Sequence, residues 1–325
     1  MKSEILKILR ESGEFVSGQE LCERFGVSRT AVWKAINQLK TEGYQIEAVS
    51  NRGYRLTESP DILTGEAIES FLKTEWAGRK LYCLDTIDST NNYAKKLAEE
   101  GAPHGTLVLA EKQEAGKGRR GRGWSTPKGT AIAMTLLLRP DIRPEKASML
   151  TLVMGLAAAR ACRELLNLDV QIKWPNDLVI GGKKICGILT EMSAEMLGIH
   201  YLVIGIGINV NMTEFPEEIR SVATSLRLEA GKTIDRAELI AKCMEQFETC
   251  YESFIRTGDL VELQEAYQAL LVNRNQKVCV LEPGHEYTGT ALGINEMGEL
   301  LVETEEGIRA VYAGEVSVRG VYGYV

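Results

Sequence analysis

The residues best suited to chemistry lie at 113–125, in the segment QEAGKGRRGRGWS. Glycines at four of these positions allow the backbone to approach a ligand closely. Lys117, Arg119, Arg120 and Arg122 can then meet an anion with charge-assisted hydrogen bonds. Because the chain as a whole has a net charge of −7, it is not expected to coat nucleic acid generally. The segment therefore predicts a binding loop for a phosphate or carboxylate of a small molecule.

The same loop contains a literal G-x-G-x-x-G at 116–121, which is also the pattern of dinucleotide-binding folds. In those folds the glycines open a helix. Here the following residues, 122–129, contain two glycines and a proline and cannot form that helix. A Walker P-loop is also excluded, because Gly118 follows Lys117 where Ser or Thr is required. We therefore expect no dinucleotide site.

A second polar segment, Asp-Ser-Thr-Asn-Asn at 88–92, lies between a predicted strand at 81–85 and a predicted helix at 93–101. Its residue types are those that cap helix N-termini. They would equally present hydroxyl, amide and backbone N–H groups to a polar ligand. The segment alone does not separate capping from ligand binding.

Short apolar runs predict a sheet for the middle of the chain. They lie at 81–85, 106–110, 131–138, 170–173, 178–180, 184–192 and 200–211, and Gly181 and Gly182 would join 178–180 and 184–192 in a hairpin. A long apolar helix at 147–166 is the main interruption, so we expect a mixed, largely antiparallel sheet rather than a doubly wound one. Two of the runs end in polar side chains. One ends in Lys-Trp-Pro-Asn-Asp at 173–177, and another ends in Asn209 and Asn211.

The N-terminal residues 1–60 predict a winged helix-turn-helix. Helical patterns at 3–11, 17–25 and 28–40 are followed by two extended runs, which Ser-Asn-Arg-Gly at 50–53 joins. This part of the chain is mildly basic, although the chain as a whole is acidic. Such a module suits a local contact with DNA.

The third helix would enter the major groove, and the wing would reach a phosphate or the minor groove. The predicted DNA contacts are Arg29, Thr30, Trp33, Lys34 and Asn37 on the helix and Arg52 on the wing. A protein-interaction module with a solvated polar face is the alternative. The residue types favour DNA, because Arg, Thr, Lys and Asn read the edges of bases. A module of this size touches few phosphates, so we expect it to act as a dimer on two half-sites.

Length and pattern indicate the remaining architecture. A chain of 325 residues predicts two or three domains. From about residue 276 the pattern changes to short strands, which are typical of a small antiparallel barrel of SH3-like type. The predicted fold class is α+β, with a DNA-binding domain at 1–60, a central domain at 65–272 and an SH3-like domain at 273–325.

Cysteine and histidine usage argues against disulfides and a protein metal centre. The seven cysteines form no C-x-x-C pair, so we expect reduced, mostly buried thiols in a cytoplasmic protein. The three histidines lie far apart in the sequence, so no metal site is expected. The charged N-terminus is not a signal peptide, and no apolar run reaches the ~18 residues of a membrane span. We therefore expect no membrane partner.

Three stretches of the chain carry a family resemblance. They are 88–91, 116–121, and 173–177 together with 183–189. In this order and spacing they resemble the bifunctional bacterial biotin–protein ligases, which are also biotin operon repressors, and the resemblance covers essentially the full chain. It implies a mixed sheet with flanking helices, as in class II aminoacyl-tRNA synthetases and lipoate ligases. Many family members have Arg where Lys117 stands, so the charge is kept without the bidentate fork.

The resemblance implies biotin and ATP as ligands, with Mg²⁺ brought by ATP. The biotin-binding residues would be Ser89, Thr90, Asn91, Gln113, Lys117, Gly118, Arg119 and Lys184. Lys117, Arg119 and Lys184 would also be catalytic. The residues that bind the adenylate or ATP would be Gly116, Arg120, Arg122, Trp124, Asn176, Asp177 and Asn209. The implied partners are a biotin carboxyl carrier protein domain, operator DNA and, when the adenylate is bound, a second copy of the chain.

These residues suit that chemistry and leave alternatives open. A carboxylate that attacks the α-phosphate of ATP brings two anions together, so catalysis is mainly positioning and charge stabilisation. A repressor that senses biotin without catalysis would not need Lys117, Arg119 and Lys184. A lipoate or octanoate ligase would share the fold but would not usually carry a winged helix. The last domain either completes the fold or helps to bind the nucleotide or the carrier.

Overall fold

The structure is a computed structural model that describes residues 1–195, 198–282, 285–313, 317–320 and 324–325. In this part of the chain, no helix is long and apolar enough to cross a bilayer. All seven cysteines are free thiols, and five of them are buried. The elements form three units, which follow one another along the chain.

The first unit is a three-helix head with a two-stranded wing. Its elements are α1 (Lys2–Ser12), α2 (Gly18–Phe25), α3 (Arg29–Thr41), β1 (Gln45–Val49) and β2 (Gly53–Glu58). Ser17 Oγ accepts a hydrogen bond from the backbone N–H of Glu20 at 3.0 Å and fixes the start of α2. Gly53 has a φ of +108° and lies against Val16, where any Cβ would overlap the main chain. The wing is therefore held close to the helices.

The second unit is built on a seven-stranded sheet. Its strands are β3 (Lys80–Ile87), β4 (Thr106–Gln113), β5 (Ala131–Leu138), β6 (Gln171–Lys173), β7 (Asp177–Ile180), β8 (Lys183–Glu195) and β9 (Gly198–Asn209). They lie in the order β3-β4-β5-β9-β8-β7-β6. The β3–β4 pair is parallel and the other neighbours are antiparallel. The predicted mixed, largely antiparallel sheet is confirmed.

Helices cover both faces of this sheet. They are α4 (Gly65–Glu69), α5 (Thr90–Glu99), α6 (Met149–Leu166), α7 (Leu226–Ala230), α8 (Arg236–Thr257) and α9 (Gln264–Leu270). Successive residues of a strand point to opposite faces. Leu107 and Leu109 belong to the core that contains α6 and α8, whereas Val108 packs with α5. Helix α5 and the pair α6 and α8 therefore lie on opposite faces of the sheet.

The third unit is a five-stranded antiparallel sheet. Its strands are β10 (Lys277–Glu282), β11 (His285–Ile294), β12 (Leu300–Thr304), β13 (Gly307–Val311) and β14 (Ser317–Gly320), in the order β13-β12-β11-β10-β14. The fully buried Trp174 attaches this unit to the central sheet. Its indole N–H donates to the Gly298 carbonyl at 3.0 Å, and its backbone N–H donates to Asn273 Oδ1 at 2.9 Å. The third unit therefore packs directly against the Lys-Trp-Pro-Asn-Asp segment.

Contacts of α1 hold the head on the central unit. Lys2 Nζ lies 2.6 Å from Glu42 Oε1 in the head and 2.8 Å from Glu66 Oε1 in α4. The Arg10 guanidinium lies 3.8 Å from the centre of the Phe71 ring. The head is thus joined to the central unit by an ion pair and a cation–π contact as well as by the chain itself.

A buried group of three charged side chains joins the linker to the central sheet. We call it the Arg236 cluster, and its members are Asp61, Glu111 and Arg236. The Arg236 side chain has 0% exposure, and its guanidinium lies 2.9 Å from Asp61 Oδ2 and 2.8 Å from Glu111 Oε2. The same guanidinium donates to the Ala131 carbonyl at 3.1 Å. One cation therefore ties the linker, β4, β5 and α8 together.

The Arg236 cluster also fixes the ends of two loops. Glu111 accepts a hydrogen bond at 3.1 Å from the backbone N–H of Gly129, which follows the loop at 113–125. Asp61 accepts one at 2.8 Å from Asn211, just after β9. Burial alone would raise the pKa of Glu111, and the hydrogen bonds from Arg236 hold it below its ordinary value. Glu111 is therefore a carboxylate at neutral pH.

We expect Arg236→Met to lower the free energy of unfolding at pH 7 by about 3–5 kcal/mol, because two largely buried carboxylates lose their cation. The lowered pKa of Glu111 means that its stabilising contribution is present above its ordinary pKa of 4.5 and is lost as the pH falls below it. The difference between wild type and variant should therefore shrink in acid. Urea unfolding at several pH values measures it.

Arg256→Met is the matched control on the same helix. Arg256 pairs at the surface with Glu262, at 2.5 Å, and its side chain is 66% exposed. Its loss should change the free energy of unfolding by less than about 1 kcal/mol. Equal losses in the two variants would contradict the role assigned to the buried cluster.

Candidate active site

All eight residues predicted to bind biotin meet in the wall of one cavity, the first cavity. They are Ser89, Thr90, Asn91, Gln113, Lys117, Gly118, Arg119 and Lys184. Gly187 and Leu189 of β8 and Gly205 and Gly207 of β9 also line it. Gly205 and Gly207 share a strand face with Val203, which packs with α5. The α5 face of the sheet is therefore the floor of this cavity.

The turn between β3 and α5 brings the polar segment at 88–92 into the site. Strand β3 ends at Ile87 and α5 begins at Thr90. Ser89 is the N-cap residue, yet its side chain makes no capping hydrogen bond within the described residues. Ser89, Thr90 and Asn91 are all buried and line the first cavity. The geometry therefore favours the ligand-binding interpretation of this segment over simple capping.

A chain of hydrogen bonds fixes these side chains. Gln113 Oε1 accepts from the backbone N–H and from the hydroxyl of Thr90, at 2.9 and 3.0 Å. Thr135 Oγ1, on β5, lies 2.8 Å from Thr90 Oγ1 and 2.7 Å from Asn91 Oδ1. Thr135 is fully buried. It orients the polar groups from beneath, so they do not have to reorganise when a ligand arrives.

Glu191 on β8 holds the other end of the Asn91 amide. Its Oε2 accepts from Asn91 Nδ2 at 2.7 Å, and Lys95 Nζ lies 2.5 Å from its Oε1. Burial alone would raise the pKa of Glu191, and the hydrogen bonds from Lys95 and Asn91 hold it below its ordinary value. The carboxylate therefore stays ionised at neutral pH and directs the amide oxygen of Asn91 toward Thr135.

Alternating glycines in β9 make room for two site side chains. A Cβ at Gly205 would overlap Asn91, and one at Gly207 would overlap the Trp124 indole. The indole N–H of Trp124 is buried and has no acceptor among the described residues. Because a buried donor without a partner costs free energy, an acceptor atom on a ligand would complete this group.

Arg119 connects the glycine-rich loop to two other parts of the chain. Its Nη1 donates to Asn176 Oδ1 at 2.9 Å, and its Nη2 donates to the Ala313 carbonyl of the third unit at 3.4 Å. Burial lowers the pKa of Arg119, but a guanidinium remains charged at neutral pH. A partly desolvated cation of this kind attracts an anion more strongly than one in water.

Two lysines complete the set of cations. Lys184 Nζ lies 2.6 Å from Asp177 Oδ1. Lys117 Nζ donates to Asn92 Oδ1 at 3.3 Å. Both ammonium groups line the first cavity with Arg119. The cavity therefore combines a hydroxyl-and-amide end with a cationic end.

A second cavity of about 250 Å³ adjoins the first. Its wall includes the predicted residues Arg120, Arg122, Asp177 and Asn209. Five residues belong to both walls, namely Gly118, Arg119, Trp124, Asn176 and Lys184. Because Arg119 and Lys184 stand at this boundary, the arrangement suits two ligands whose anionic groups meet there.

An open groove, the third groove, reaches the same boundary. Arg119 and Asn176 line it together with Pro144, Met192 and Tyr312. Met192 and Tyr312 are 47% and 49% exposed. Exposed large side chains beside a charged cavity are typical of a docking surface for another macromolecule.

Gly116 was predicted to bind the adenylate. Unlike the other residues predicted to bind biotin or the adenylate, it is absent from the described walls of both cavities. Its carbonyl accepts from the Trp124 backbone N–H at 2.9 Å, and a Cβ at Gly116 would overlap the main chain of Trp124. Gly116 therefore supports the backbone of the loop. Asn209 also has a structural contact, because its Nδ2 donates to the Thr224 carbonyl at 3.1 Å.

The residues of the site that were not predicted include four that orient the predicted side chains or make room for them. They are Thr135, Glu191, Gly205 and Gly207. The alternating glycines in the apolar run at 200–211 were an available signal, because glycine inside a strand often marks close approach of a ligand or a side chain. The single hydroxyl in the apolar strand at 131–138 was another. Glu191 has no local signal, since its partners lie on α5.

The predicted DNA-contact residues lie mostly at the surface of the head. Arg29, Thr30, Trp33, Lys34 and Arg52 are exposed and Asn37 is half-buried. Trp33 is 56% exposed, which is unusual for an indole unless a partner covers it. The Arg52 guanidinium lies 4.3 Å from the centre of the Phe15 ring, which holds the wing cation at the head surface.

Within the described ranges, no group of three or more His, Cys, Asp or Glu residues could hold a metal ion. Among the described wall residues of the second cavity, the carboxylate is that of Asp177, and it already forms an ion pair with Lys184.

Three family profiles match the chain in the order of its three units. An HTH domain profile matches residues 2–55. The profile of the biotin/lipoate A/B protein ligase family matches residues 83–209. The profile of the biotin protein ligase C-terminal domain matches residues 275–319.

Individual relatives extend the similarity over the whole chain. The bifunctional ligase/repressor BirA of Bacillus subtilis (strain 168) is 42% identical over 98% of this chain and 98% of its own length. That of Escherichia coli (strain K12) is 33% identical over 96% and 95%. A solved biotin protein ligase from Aquifex aeolicus, in complex with biotin and ATP, is 32% identical with a TM-score of 0.66, over 74% of this chain and 99% of that one. The chain therefore belongs to the biotin protein ligase family, in the group of bifunctional ligase/repressors.

Proposed function

We propose that the protein is an ATP-dependent biotin–protein ligase that also represses biotin genes by binding DNA. The observation that carries the enzymatic part is the boundary between the two cavities, where Arg119 and Lys184 belong to both walls. The similarity to a ligase that binds biotin and ATP supports the same assignment. The winged head supports the second activity.

In the first step, a carboxylate oxygen of biotin attacks the α-phosphorus of ATP. The bond from that phosphorus to the bridging oxygen of the β-phosphate breaks, and pyrophosphate leaves. Ser89, Thr90, Asn91 and Gln113 would hold the ureido head by hydrogen bonds at the polar end of the first cavity. Arg119, Lys184 and Lys117, with the backbone of Gly118, would neutralise the two anions that must approach each other.

The nucleotide would occupy the second cavity. Arg120, Arg122, Trp124, Asn176, Asp177 and Asn209 would surround it, and Gly116 would keep Trp124 in place. Mg²⁺ would enter on the phosphates of ATP, since Mg²⁺ is commonly held by substrate phosphates and water with few protein ligands. It would lower the negative charge that the attacking carboxylate meets.

In the second step, the neutral amine of a carrier lysine attacks the acyl carbon of biotinyl-AMP. An amide bond forms, AMP leaves with the electrons of the acyl–oxygen bond, and the amine proton passes to solvent. The third groove gives the carrier a route to Arg119. Closure of the loop over the adenylate would exclude water and so prevent hydrolysis.

We expect Lys184→Ala to lower the rate of biotinyl-AMP formation by about 10²–10³-fold, as for other single charge-stabilising groups. The physical reason is that the cation at the boundary no longer neutralises the carboxylate and the α-phosphate. Pyrophosphate release, and the mass of an apo carrier incubated with biotin and ATP, measure the two steps.

Lys183→Ala is the matched control, since Lys183 is the exposed neighbour of Lys184 on the same strand. It should keep the wild-type rate. If the wild-type protein adds no biotinyl mass to the carrier, the ligase assignment fails. A preference for lipoate or octanoate over biotin would assign another acyl group, and biotin binding without pyrophosphate release would indicate a sensor without catalysis.

DNA binding is expected to depend on cations of α3 and the wing. Lys34→Ala should weaken operator binding and lower the slope of log affinity against log salt by about 1, if Lys34 contacts one phosphate. Biotin ligation should be unchanged, because none of the described wall residues of the two cavities belongs to α3. Electrophoretic mobility or anisotropy titrations over several salt concentrations measure the effect.

Lys40→Ala serves as the control in the last turn of the same helix, since the N-terminal residues of a recognition helix make its base contacts. Similar losses of affinity and salt slope in both variants would point to a non-specific electrostatic effect instead of a defined docking geometry.

We also propose that the adenylate-bound protein is a homodimer that binds two half-sites of its operator in the cytoplasm. The adenylate must then bind the dimer more tightly than the monomer. Sedimentation velocity should show dimers with biotin plus ATP and fewer dimers with either ligand alone. Unchanged sedimentation and operator affinity would refute this coupling. The proposed domain boundaries lie at 60/65 and 272/273, and they define the fragments in which each domain can be studied separately.

A further inference from the structure

A tyrosine beyond β14 reaches the second cavity. Tyr324 lines this cavity with Lys173, Asp177 and Lys184. Its hydroxyl donates a hydrogen bond to Asp177 Oδ2, while Asp177 Oδ1 holds Lys184 Nζ at 2.6 Å. The centre of its ring lies 4.0 Å from Lys173 Nζ. Tyr324 of the third unit therefore contacts Asp177, which is the partner of Lys184, and it also contacts the ammonium of Lys173.

The hydroxyl of Tyr324 acts as a donor in this arrangement. Burial raises the pKa of Tyr324, and the adjacent Asp177 raises it further, so the hydroxyl keeps its proton at neutral pH. A carboxylate held at both oxygens has one fixed orientation. Lys184, which is bound to the other oxygen, is thereby placed at the boundary of the two cavities.

The ring of Tyr324 acts on a second cation. Lys173 is only 5% exposed. The charged groups that face it are Asp177, Lys184, Arg319 and Arg122. Burial lowers the pKa of Lys173 to about 8, although Asp177 opposes this shift. The face of an aromatic ring attracts an ammonium group, so Tyr324 both shields Lys173 from water and holds it against the cavity wall.

We propose that Tyr324 is a positioning residue for adenylate formation, acting through Asp177 on Lys184 and through its ring on Lys173. The proposal rests on the function proposed above. The hydroxyl sets where the Lys184 ammonium stands, and the ring sets where the Lys173 ammonium stands in the cavity assigned to the nucleotide. Tyr324 makes no contact with the reacting atoms in this scheme.

Two variants separate the hydroxyl from the ring. Tyr324→Phe keeps the ring, and it should lower kcat for pyrophosphate release about tenfold while KM for biotin stays unchanged, because a hydrogen bond to a charged group is lost. Tyr324→Ala removes the ring as well. Lys173 then meets water, and its pKa should rise from about 8 toward the ordinary 10.5.

The pH–rate profile distinguishes the two effects. In the wild type, activity that needs the Lys173 cation should fall as the pH rises through about 8. Tyr324→Phe should keep this alkaline limb, and Tyr324→Ala should move it to higher pH. A role confined to folding would not move the limb, so the profile is a specific readout of positioning.

Tyr287→Phe, which removes a tyrosine hydroxyl from β11 of the same unit, is the control and should match the wild type. Every variant should unfold within a few degrees of the wild type, and the biotin affinity should be unchanged. If Tyr324→Phe has the wild-type kcat and the alkaline limb of Tyr324→Ala stays at the wild-type pH, this proposal is overturned and the proposed function stands. Lowered melting temperature and lost biotin affinity would overturn it in favour of a structural role. A wild-type protein without biotin-dependent pyrophosphate release would overturn the proposed function and this inference together.

Discussion

The arrangement of the central unit depends on one fully buried guanidinium, that of Arg236, and on the groups that neutralise its charge. A charge in the protein interior is tolerated only when its partners are held in place. Here the partners come from the linker, from β4 and from the backbone of β5. The same contacts lie just before and just after the glycine-rich loop. The requirement to satisfy a single cation therefore fixes both the start of the central unit and the base of the loop.

The site on the opposite side of this framework combines groups from the central unit and from the third unit. The β3–α5 turn supplies hydroxyls and amides, the loop and β8 supply cations, and the third unit supplies the Ala313 carbonyl and Tyr324. Arg119, Lys184 and Lys117 each have an orienting contact of their own. Such preorganisation suits a reaction in which two anions must meet, because water in the site would otherwise have to reorganise around them.

Much of the site could be predicted from local sequence, because polar residues at strand ends and glycines beside cations are local patterns. For Ser89, Thr90 and Asn91, the local sequence left capping and ligand binding open, and their burial in the cavity wall favours binding. Glu191 and Tyr324 could not be found in this way, since each acts through partners more than ninety residues away. The long helix at 147–166 was also predicted well, although α6 begins two residues later than expected. Its start was displaced by the short 3₁₀ turn at Pro144–Lys146.

The backbone pairing inside the glycine-rich loop affects the entropy of ligand binding. Gln113 pairs with Thr126, and Lys117 pairs with Gly123, so the two sides of the loop are already joined. At the tip, Arg119–Gly121 form a short 3₁₀ turn, and the Gly118 N–H donates to the Arg122 carbonyl at 2.7 Å. Ordering the backbone costs about 1–2 kcal/mol per residue, and a loop with a preformed base avoids most of that cost. More of the interaction free energy with the ligand is then available as affinity.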